Sequence, residues 1–285
     1  MTDVFPTTPT TQVTAPTPMP GTALAAMAAR LHHARSVGSR VPIDGPAPSV
    51  EDAYRLQAAL DALADSPRIG VKLGATLDAA LATLGLDRAF HASLFARHHY
   101  ENGAEVPIFA AHPTAVEAEF VVTVGEDIVG GDTPLDAAAI RAATASVRPG
   151  FELVATRFDM PLAGNGTRLV ADSGGQSATV IGEAVDERHW QALDFTAHPV
   201  SLRIDGEHRA DGHSGQSIGG SPFAMIAWLL TRPAFARTGL KAGEIIYCGS
   251  CTGMLPVASG NRLEADFGSL GRVSATLVDA VAAPV

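Results

Sequence analysis

The spacing of apolar residues changes along the chain, from a helical period to an alternating one. In the first part, apolar side chains recur every three or four positions after Ser49, which predicts a helix with one buried face. Ser49 and Asp52 have the spacing of a helix-capping pair, which favours a helix start at this point. The predicted buried face consists of Ala53, Leu56, Leu60 and Leu63. The other elements predicted here are helices over 22–36 and 77–84 and a short strand over 68–73.

From about residue 106 the pattern is that of strands. Residues 116–124 alternate between apolar side chains and others, which is typical of a half-buried strand. The further strands predicted are 151–155, 178–181, 200–204, 244–248, 262–267 and 272–278, with helices over 135–145 and 222–230. The pattern predicts an α+β fold with a smaller, mostly helical N-terminal part over 21–104 and a strand-rich domain over 105–285.

Composition separates the N-terminal end from the rest. Residues 1–20 contain seven Thr and five Pro, and such a segment buries too little apolar surface to offset the entropy of ordering it. We expect a disordered tail there. The whole chain has 46% hydrophobic residues, which is enough for a folded core.

Charge excludes several classes of partner. The chain carries 30 acidic against 20 basic residues, a net charge of −10, so nucleic acid and anionic membrane surfaces are unsuitable partners. No apolar run approaches the roughly 20 residues that a membrane-spanning helix needs. Two cysteines cannot build a disulfide framework, which favours a cytoplasmic location.

Two carboxylates lie on one face of the strand predicted over 116–124. Side chains alternate along a strand, so Glu117 and Glu119 share a face and lie roughly 7 Å apart. Like charges this close repel unless water, a basic partner or a metal ion intervenes. Hard cations such as Mg²⁺ prefer carboxylate oxygens. For such a pair alone, a solvated strand face is the commoner explanation.

Two further charged residues interrupt apolar strands. Glu152 lies within the strand predicted over 151–155, where a buried carboxylate needs a metal ion, Arg157 or exposure to water. Lys72 lies in a short apolar strand beside Gly70 and Gly74. It either lines a pocket with a usefully lowered pKa or extends to the surface.

The order of these segments is informative as a whole. They are Gly-Val-Lys-Leu-Gly-Ala-Thr (70–76), Leu-Phe (94–95), Val-Glu-Ala-Glu (116–119), Phe-Glu-Leu-Val (151–154), Ala-Asp (171–172), Tyr-Cys-Gly-Ser (247–250) and Phe-Gly-Ser-Leu-Gly (267–271). Over residues 24–278 the chain resembles the 2-keto-4-pentenoate hydratase / 4-oxalocrotonate decarboxylase family of the fumarylacetoacetate hydrolase superfamily.

The resemblance implies a fold, an assembly and a set of site residues. The fold is a mixed β-sandwich roll, with its catalytic domain over 105–285, in a homo-oligomer. Mg²⁺ or Mn²⁺ would be bound by Glu117, Glu119 and Glu152. Lys72 and Asp172 would be catalytic, with Lys72 acting as an acid/base or in substrate binding. The implied substrate-binding positions are Gly74, Thr76, Leu94, Ser173 and Ser250.

The activity that the resemblance implies is a lyase reaction. Water adds to a 2-hydroxy-2,4-dienoate of the 2-keto-4-pentenoate type and gives a 4-hydroxy-2-oxo acid, as in meta-cleavage degradation of aromatic compounds. The metal would act as a Lewis acid on the two oxygens of the 2-oxo acid. A decarboxylase or aldolase of the same pathway is a candidate partner.

The sequence departs from this family at two places and so leaves alternatives open. Phe90 stands where hydratases of the family carry an acid/base Asp, and we consider His91 as its substitute. Ser173-Gly174-Gly175 stands where the family shows Asn-Ala-Ser. The alternatives are a decarboxylase of 2-oxo-enedioates, an acylpyruvate C–C hydrolase with a His-centred water, or a catalytically altered partner subunit.

Overall fold

The structure is a computed structural model that describes residues 18–131 and 135–282. Residues 1–17 of the predicted tail lie outside the described part of the chain. Met19, near the end of that predicted tail, is held in place. Its N–H donates to Asp52 Oδ2 at 3.0 Å, and its carbonyl accepts a hydrogen bond from Arg55 at 3.1 Å.

Helices and strands alternate along the described chain. The helices are α1 (Gly21–Val37), α2 (Val50–Asp61), α3 (Asp78–Leu84), α4 (Ala137–Ala142), α5 (Gly166–Ala171), α6 (Glu187–Gln191), α7 (Pro222–Leu230) and α8 (Pro233–Thr238). The strands of the first half are β1 (Arg68–Gly74), β2 (Phe90–Phe95), β3 (His99–Glu101), β4 (Glu105–Ile108), β5 (Thr114–Val124) and β6 (Thr144–Ala155). Those of the second half are β7 (Gln176–Ile181), β8 (Pro199–Ile204), β9 (Glu207–His213), β10 (Ile245–Ser250), β11 (Leu255–Val257), β12 (Arg262–Asp266) and β13 (Arg272–Asp279).

The strands form two mixed sheets. The larger sheet has the order β2-β1-β10-β5-β6-β7-β3, with β11 pairing beside β5. The smaller sheet has the order β4-β13-β12-β8-β9. Both contain parallel and antiparallel pairs, since β1 runs parallel to β10 and β4 runs parallel to β13. This architecture confirms the predicted α+β class. The strands β1 to β3 precede residue 105 yet belong to the larger sheet.

Two hydrophobic clusters fix the site strands in place. In the first, Phe120 of β5 meets Phe195 and Phe267 edge-on, at ring-centroid distances of 5.7 and 5.0 Å. Residues of both sheets belong to this cluster, so it is the core between them. The second cluster joins α1 and α2 to α5, through residues such as Leu31, Leu56 and Leu169.

The predicted periodicities hold in β5 and over most of α2. Ala53, Leu56 and Leu60 are buried as predicted, whereas Leu63 lies beyond the end of α2 and is exposed, so its predicted burial is wrong. Val116, Ala118, Phe120 and Val122 of β5 are all buried in the first cluster, as the alternation predicts. In α2 the Ser49 hydroxyl accepts the N–H of Asp52 at 3.1 Å, which confirms the predicted helix start. Among the described residues, no helix is both long and apolar enough to cross a bilayer.

The helix predicted over 135–145 is shorter in the structure. It covers Ala137–Ala142, and β6 already begins at Thr144. There the chain pairs with Val124 of β5, and this pairing ends the helix. The alanine-rich sequence favours a longer helix, but tertiary pairing of the backbone overrides that propensity.

Candidate metal centre and active-site cavity

Three glutamates come together on one face of the β5–β6 pair. Glu117 and Glu152 are directly opposite one another in the ladder, and Glu119 lies two residues along β5, opposite Gly150. One carboxylate oxygen from each glutamate lies within 4.8 Å of the others. Gly150 contributes no side chain, and a Cβ there would collide with Val121. The Glu-x-Glu spacing alone is compatible with a solvated strand face or a metal site. The pairing of β5 with β6 adds Glu152 and brings the three carboxylates together.

The two inner glutamates are fully buried, and three of their four carboxylate oxygens accept no hydrogen bond from the described residues. One of the three, Glu152 Oε1, is in an ion pair with Lys72. Glu119 Oε2 accepts the N–H of Gly249 at 2.8 Å, whereas Glu119 Oε1 has no hydrogen-bond partner among the described residues. Neither oxygen of Glu152 accepts an aligned hydrogen bond from the described chain. Buried carboxylate oxygens without partners are costly. They fit a hard divalent cation, which takes its ligands from carboxylates.

Burial and mutual repulsion disfavour the charged forms. Loss of water, followed by the charge of Glu152, raises the pKa of Glu117 to about 7. The same causes raise the pKa of Glu119 well above its usual value. Opposite charge lowers a carboxyl pKa, so a bound cation would restore the ionised forms.

Lys72 lies beside this cluster. Its Nζ is 2.8 Å from Glu152 Oε1, and both side chains are buried. The ammonium group also donates a hydrogen bond to the carbonyl of Gly174 at 2.9 Å. Phe90 covers it from another side, with its ring centroid 5.1 Å from Nζ. Lys72 is therefore buried at the site, and the alternative in which its side chain extends to the surface is wrong.

A cavity of about 260 Å³ opens above the cluster. Glu117 reaches its wall, while Glu119 and Glu152 are fully buried and do not line it. The charged, hydroxyl and glycine residues of the wall are Lys72, Gly74, Thr76, Thr83, Glu117, Gly174, Ser250 and Gly253. Of the predicted substrate-binding residues, Gly74, Thr76 and Ser250 thus lie at the cavity.

The chain takes an unusual path at 173–175. Ser173, Gly174 and Gly175 all have positive φ, between 51° and 68°. This path points the Gly174 carbonyl at Lys72, and a Cβ at Gly174 would lie 2.6 Å from Lys72 Cε. The glycine that departs from the family pattern is therefore required here by both backbone conformation and space.

His91 does not line the cavity, so its position gives no support to the predicted catalytic role, which stays a prediction. It is in β2 next to Phe90, so the two side chains project from opposite faces, and Phe90 is the one that lines the cavity. The His91 ring stacks on Tyr54 at 4.7 Å and meets Phe235 edge-on at 5.0 Å. Burial, together with Arg68 and a second arginine, lowers its pKa to about 4.

Asp172 also has a different place from the one predicted. It is fully buried in an ion pair with Arg157, whose Nε donates to Oδ1 at 2.8 Å and whose backbone N–H donates to Oδ2 at 2.7 Å. Thr156 Oγ1 adds a hydrogen bond to Oδ2 at 3.0 Å. Both oxygens are occupied, and the residue does not line the cavity. Its role is to hold the segment that carries Gly174.

Two of the predicted substrate-binding residues lie elsewhere. Leu94 packs in a small cluster with Val121, Ile245 and Tyr247 and does not line the cavity, so its predicted role in substrate binding stays a prediction. Ser173 faces a separate small cavity of about 40 Å³ beside Arg35. In both cases the family motif is near the site in sequence, while the side chain points away from it.

The apolar residues of the cavity wall are not evident from the sequence. They are Leu73, Ala75, Leu77, Ala79, Ala80, Leu84, Phe90, Val154, Leu169 and Met254. In the sequence, Phe90 stands out only as a departure from the family. The helical period of α3 indicates a packed face, but nothing in it distinguishes a cavity wall from a core contact.

A known protein family matches most of the chain that forms this site. The family model described as fumarylacetoacetate (FAA) hydrolase C-terminal matches residues 91–278, which is more than half of the chain. The chain belongs to the fumarylacetoacetate hydrolase family. The matched segment includes all three clustered glutamates, whereas β1 with Lys72 precedes it.

Relatives within this family match over most of the chain. The chain is 28% identical to the 2-keto-4-pentenoate hydratase of Burkholderia vietnamiensis, covering 90% of this chain and 98% of that protein. It is 30% identical to the 2-hydroxyhexa-2,4-dienoate hydratase of Comamonas testosteroni, covering 86% and 94%. The solved structure of 4-oxalocrotonate decarboxylase from Pseudomonas putida G7, complexed with magnesium and adipate, has the same fold. Its TM-score is 0.81 at 22% identity, covering 91% of this chain and 99% of that one.

Proposed function

We propose that this protein is a lyase that adds water to a 2-hydroxy-2,4-dienoate and gives a 4-hydroxy-2-oxo acid, as in meta-cleavage degradation of aromatic compounds. The observation that carries the proposal is the buried three-glutamate cluster beside Lys72 at the foot of the cavity. Two relatives that match along most of the chain are named hydratases of such dienoates.

Glu117, Glu119 and Glu152 would hold a divalent cation, Mg²⁺ or Mn²⁺. Their carboxylate oxygens are close enough to bind one ion together. The oxygens of Glu119 and Glu152 that accept no hydrogen bond within the described chain would then have the cation as their partner. Oxygen-only donor sets suit Mg²⁺ and Mn²⁺ rather than softer metals. When bound, such an ion supplies Lewis acidity towards the carboxylate and 2-oxo oxygens of the substrate.

Lys72 would carry the proton transfers. Its Nζ is the basic group of the cavity wall, held between Glu152 Oε1 and the Gly174 carbonyl. An ammonium group has three N–H donors, and the Gly174 carbonyl accepts one of them, so Lys72 can still donate to the substrate. A proton held at Nζ can be delivered to the carbon chain when the dienol ketonises, and recovered when water adds.

Hydroxyl groups and the aromatic wall would orient the substrate. Thr76 and Ser250 present hydroxyls to the cavity, and the Ser250 Oγ has no hydrogen-bond partner in the described chain. Phe90 also lines the cavity, with its ring centroid 5.1 Å from Lys72 Nζ. These groups bind and position, whereas Lys72 is the catalytic residue of the proposal.

A second candidate is a decarboxylase of 2-oxo-enedioates. Phe90 stands where the resembled hydratases carry an acid/base Asp, and loss of carbon dioxide leads to the same dienol without a water-activating residue. The P. putida protein of the same fold is a decarboxylase. The hydrolase alternative depended on His91, which is outside the cavity.

A direct assay tests the proposal. Purified protein with Mg²⁺ is offered 2-hydroxypenta-2,4-dienoate, and the loss of its ultraviolet absorbance is followed. We expect turnover that stops when EDTA removes the metal and returns when Mg²⁺ is added. Turnover of 2-oxohex-3-enedioate with none of the dienoate would establish the second candidate instead. Turnover of neither would leave the partner-subunit alternative. The homo-oligomer, the partner enzyme and the cytoplasmic location stay predictions.

A further inference from the structure

A side chain of the first helix reaches the backbone beside the site. Arg35 is in α1, and its guanidinium group donates two hydrogen bonds to Gln176 at the start of β7. Nη1 donates to the side-chain Oε1 at 3.1 Å, and Nη2 donates to the backbone carbonyl at 2.9 Å. Gln176 directly follows the segment 173–175, whose Gly174 carbonyl accepts a hydrogen bond from Lys72. Arg35 thus holds one end of the segment that contacts the lysine.

The path of this segment needs support from side chains. All of 173–175 has positive φ, and for Ser173 this conformation costs free energy because of its Cβ. The sheet gives incomplete support at Gln176, since the register of β7 against β6 shifts there, between Leu153 and Val154. Unfavourable backbone conformations persist only where the surrounding structure holds them. The contacts at the two ends of the segment therefore determine where its carbonyl groups point.

Two arginines hold these ends. Arg157 pairs with Asp172 before the segment, and its Nη1 also donates to the Gln176 carbonyl after it, at 2.9 Å. Arg35 donates to the same carbonyl oxygen from α1. Two guanidinium groups this close repel each other, and loss of water followed by the charge of Arg157 lowers the pKa of Arg35 to about 9. Arg35 stays charged at neutral pH, so the two hydrogen bonds to Gln176 offset an electrostatic cost.

We propose that Arg35 is a positioning residue that keeps Lys72 in place through the 173–175 segment. By holding Gln176 it fixes the Gly174 carbonyl, and this carbonyl fixes the Lys72 ammonium group at the cavity. The proposal rests on the proposed function, in which Lys72 carries the proton transfers. Arg35 does not line the cavity and acts through Lys72. A residue that precedes the matched family domain thereby contributes to the reaction.

Loss of Arg35 should let Lys72 move. Without a fixed Gly174 carbonyl, the polar contact that remains for Nζ is Glu152 Oε1, which belongs to the glutamate cluster. The ammonium group should then shift towards the glutamates, away from the position in which it reaches the substrate. Displacement of a reacting group by roughly 1 Å can cost about 10²-fold in rate, so a partial displacement should lower kcat by at least about tenfold.

The lysine content of the chain allows a direct measurement. Lys72 and Lys241 are its only lysines, so protein labelled with ¹³C-lysine gives two ε-methylene signals by NMR. The Lys72 signal is assigned by its absence in Lys72→Met. It reports position because the Phe90 ring centroid lies 5.1 Å from Nζ, and the field of an aromatic ring changes steeply with distance. Lys241 is exposed, is paired with Asp127 and serves as the internal reference.

Arg35→Gln is compared with Arg30→Gln as its matched control. Arg30 is in the same helix, is exposed and pairs with Asp44 at 3.6 Å, so its replacement removes the same charge at a place away from the segment. In metal-free protein, Arg35→Gln should shift or broaden the Lys72 signal and leave the Lys241 signal in place, whereas Arg30→Gln should change neither. With Mg²⁺ and the dienoate, Arg35→Gln should lower kcat by at least about tenfold at nearly unchanged KM.

A double variant shows whether Arg35 acts through Lys72. In a Lys72→Met background, Arg35→Gln should lower kcat no further, because the group that it positions is already absent. A loss of kcat that came from reduced stability would persist in both backgrounds, and all rates are measured below the melting temperature of each variant. If Arg35→Gln does not fold, Arg35→Lys replaces it in the kinetic comparison, since lysine keeps the charge but lacks the fork that reaches both acceptors.

The possible results separate this proposal from the proposed function. A Lys72 signal that does not move in Arg35→Gln, or that moves equally in Arg30→Gln, overturns the positioning role. Unchanged kcat in Arg35→Gln, or an equal loss of kcat in both backgrounds, overturns it as well. If the wild-type protein turns over neither the dienoate nor the enedioate, the proposed function fails, and the Lys72 signal still decides whether Arg35 holds the lysine.

Discussion

Lys72 Nζ lies 2.8 Å from Glu152 Oε1, with both side chains buried beneath the cavity. The lysine is in β1 and the glutamate in β6, and in the sheet order β10 and β5 separate these strands. Their contact is therefore made on one face of the sheet, across two intervening strands. One positive charge against three carboxylates leaves the cluster with an excess of negative charge, which a divalent cation would offset.

Lys72→Met should abolish most of the activity without preventing metal binding. Methionine keeps the volume of the side chain but removes the proton carrier, so we expect kcat to fall by about 10²–10⁴-fold. Metal affinity measured by calorimetry should stay equal or rise, because a competing positive charge has gone. Metal-free protein should unfold at lower temperature than wild type, since Glu152 loses its ion-pair partner. Retained kcat would show that another group carries the proton.

Glu119→Gln should remove metal binding while the fold stays intact. The amide oxygen can still accept the Gly249 N–H, so the backbone contact at 2.8 Å is preserved. Removal of a buried negative charge should leave the metal-free protein at least as stable as wild type by thermal denaturation. Glu105→Gln is the matched control, because Glu105 is also in a strand but is exposed. Unchanged Mg²⁺ affinity in Glu119→Gln would contradict the metal centre.

Metal binding should strengthen with pH up to about neutrality. Burial raises the pKa of Glu117 to about 7, so at lower pH protons compete with the cation for this carboxylate. Calorimetry from pH 5.5 to 8 in Mg²⁺ should show affinity rising as Glu117 loses its proton, with proton release on binding. Glu119, whose pKa is also raised, should add to the rise. Affinity independent of pH across this range would remove Glu117 from the ligand set.

The same pKa shift predicts how the metal-free protein responds to pH. The carboxyl binds its proton more tightly in the folded state than at its ordinary pKa of 4.5, so its contribution to stability is full below pH 4.5. That contribution is lost as pH rises through about 7. Saturating Mg²⁺ should remove this loss, since the ionised form then has a partner. Chemical denaturation with and without Mg²⁺ at several pH values measures both effects.

Asp172→Asn should damage the fold more than the chemistry. Arg157 and Asp172 form a buried ion pair, and removing one charge leaves the other without compensation. Breaking such a pair costs about 3–5 kcal/mol of unfolding free energy, measured by denaturant titration. At a temperature where the variant is folded, KM should lie close to wild type because Asp172 does not reach the cavity, and kcat should fall only moderately, through displacement of the Gly174 carbonyl that holds Lys72. A kcat loss of many hundredfold in folded protein would instead return Asp172 to the catalytic set.

The face of β5 on which the glutamates lie can be predicted from the sequence, but the contacts of the residues around them cannot. Glu117 and Glu119 follow from strand alternation in β5, since Phe120 and its apolar neighbours must be buried. The ion pair of Asp172 with Arg157 depends on how β6 and α5 meet, which no local period encodes. Family motifs indicate the neighbourhood of the site, while side-chain direction decides which of their residues belong to it.

Two strands that are absent from the predicted elements, β9 and β2, differ in how clearly their sequences show a strand pattern. In β9 the sequence Glu-His-Arg-Ala-Asp-Gly-His contains no large apolar residue, and this strand lies at the edge of the smaller sheet. An exposed edge needs no apolar face, so its sequence has no strand pattern. In β2 the alternation of buried and half-buried residues is regular. Strand alternation across this segment is sufficient to put His91 on the face opposite Phe90.

His91→Phe tests that placement directly. His91 is packed between Tyr54 and Phe235, and its low pKa of about 4 keeps the ring neutral at pH 7. Phenylalanine has a similar shape and also packs well against aromatic rings, so the melting temperature should change little. A residue outside the cavity takes no part in proton transfer, so kcat and its pH profile with the dienoate should match those of wild type. A collapse of kcat with the melting temperature unchanged would show that His91 acts on the substrate, and would restore the His-centred alternative that its position argues against.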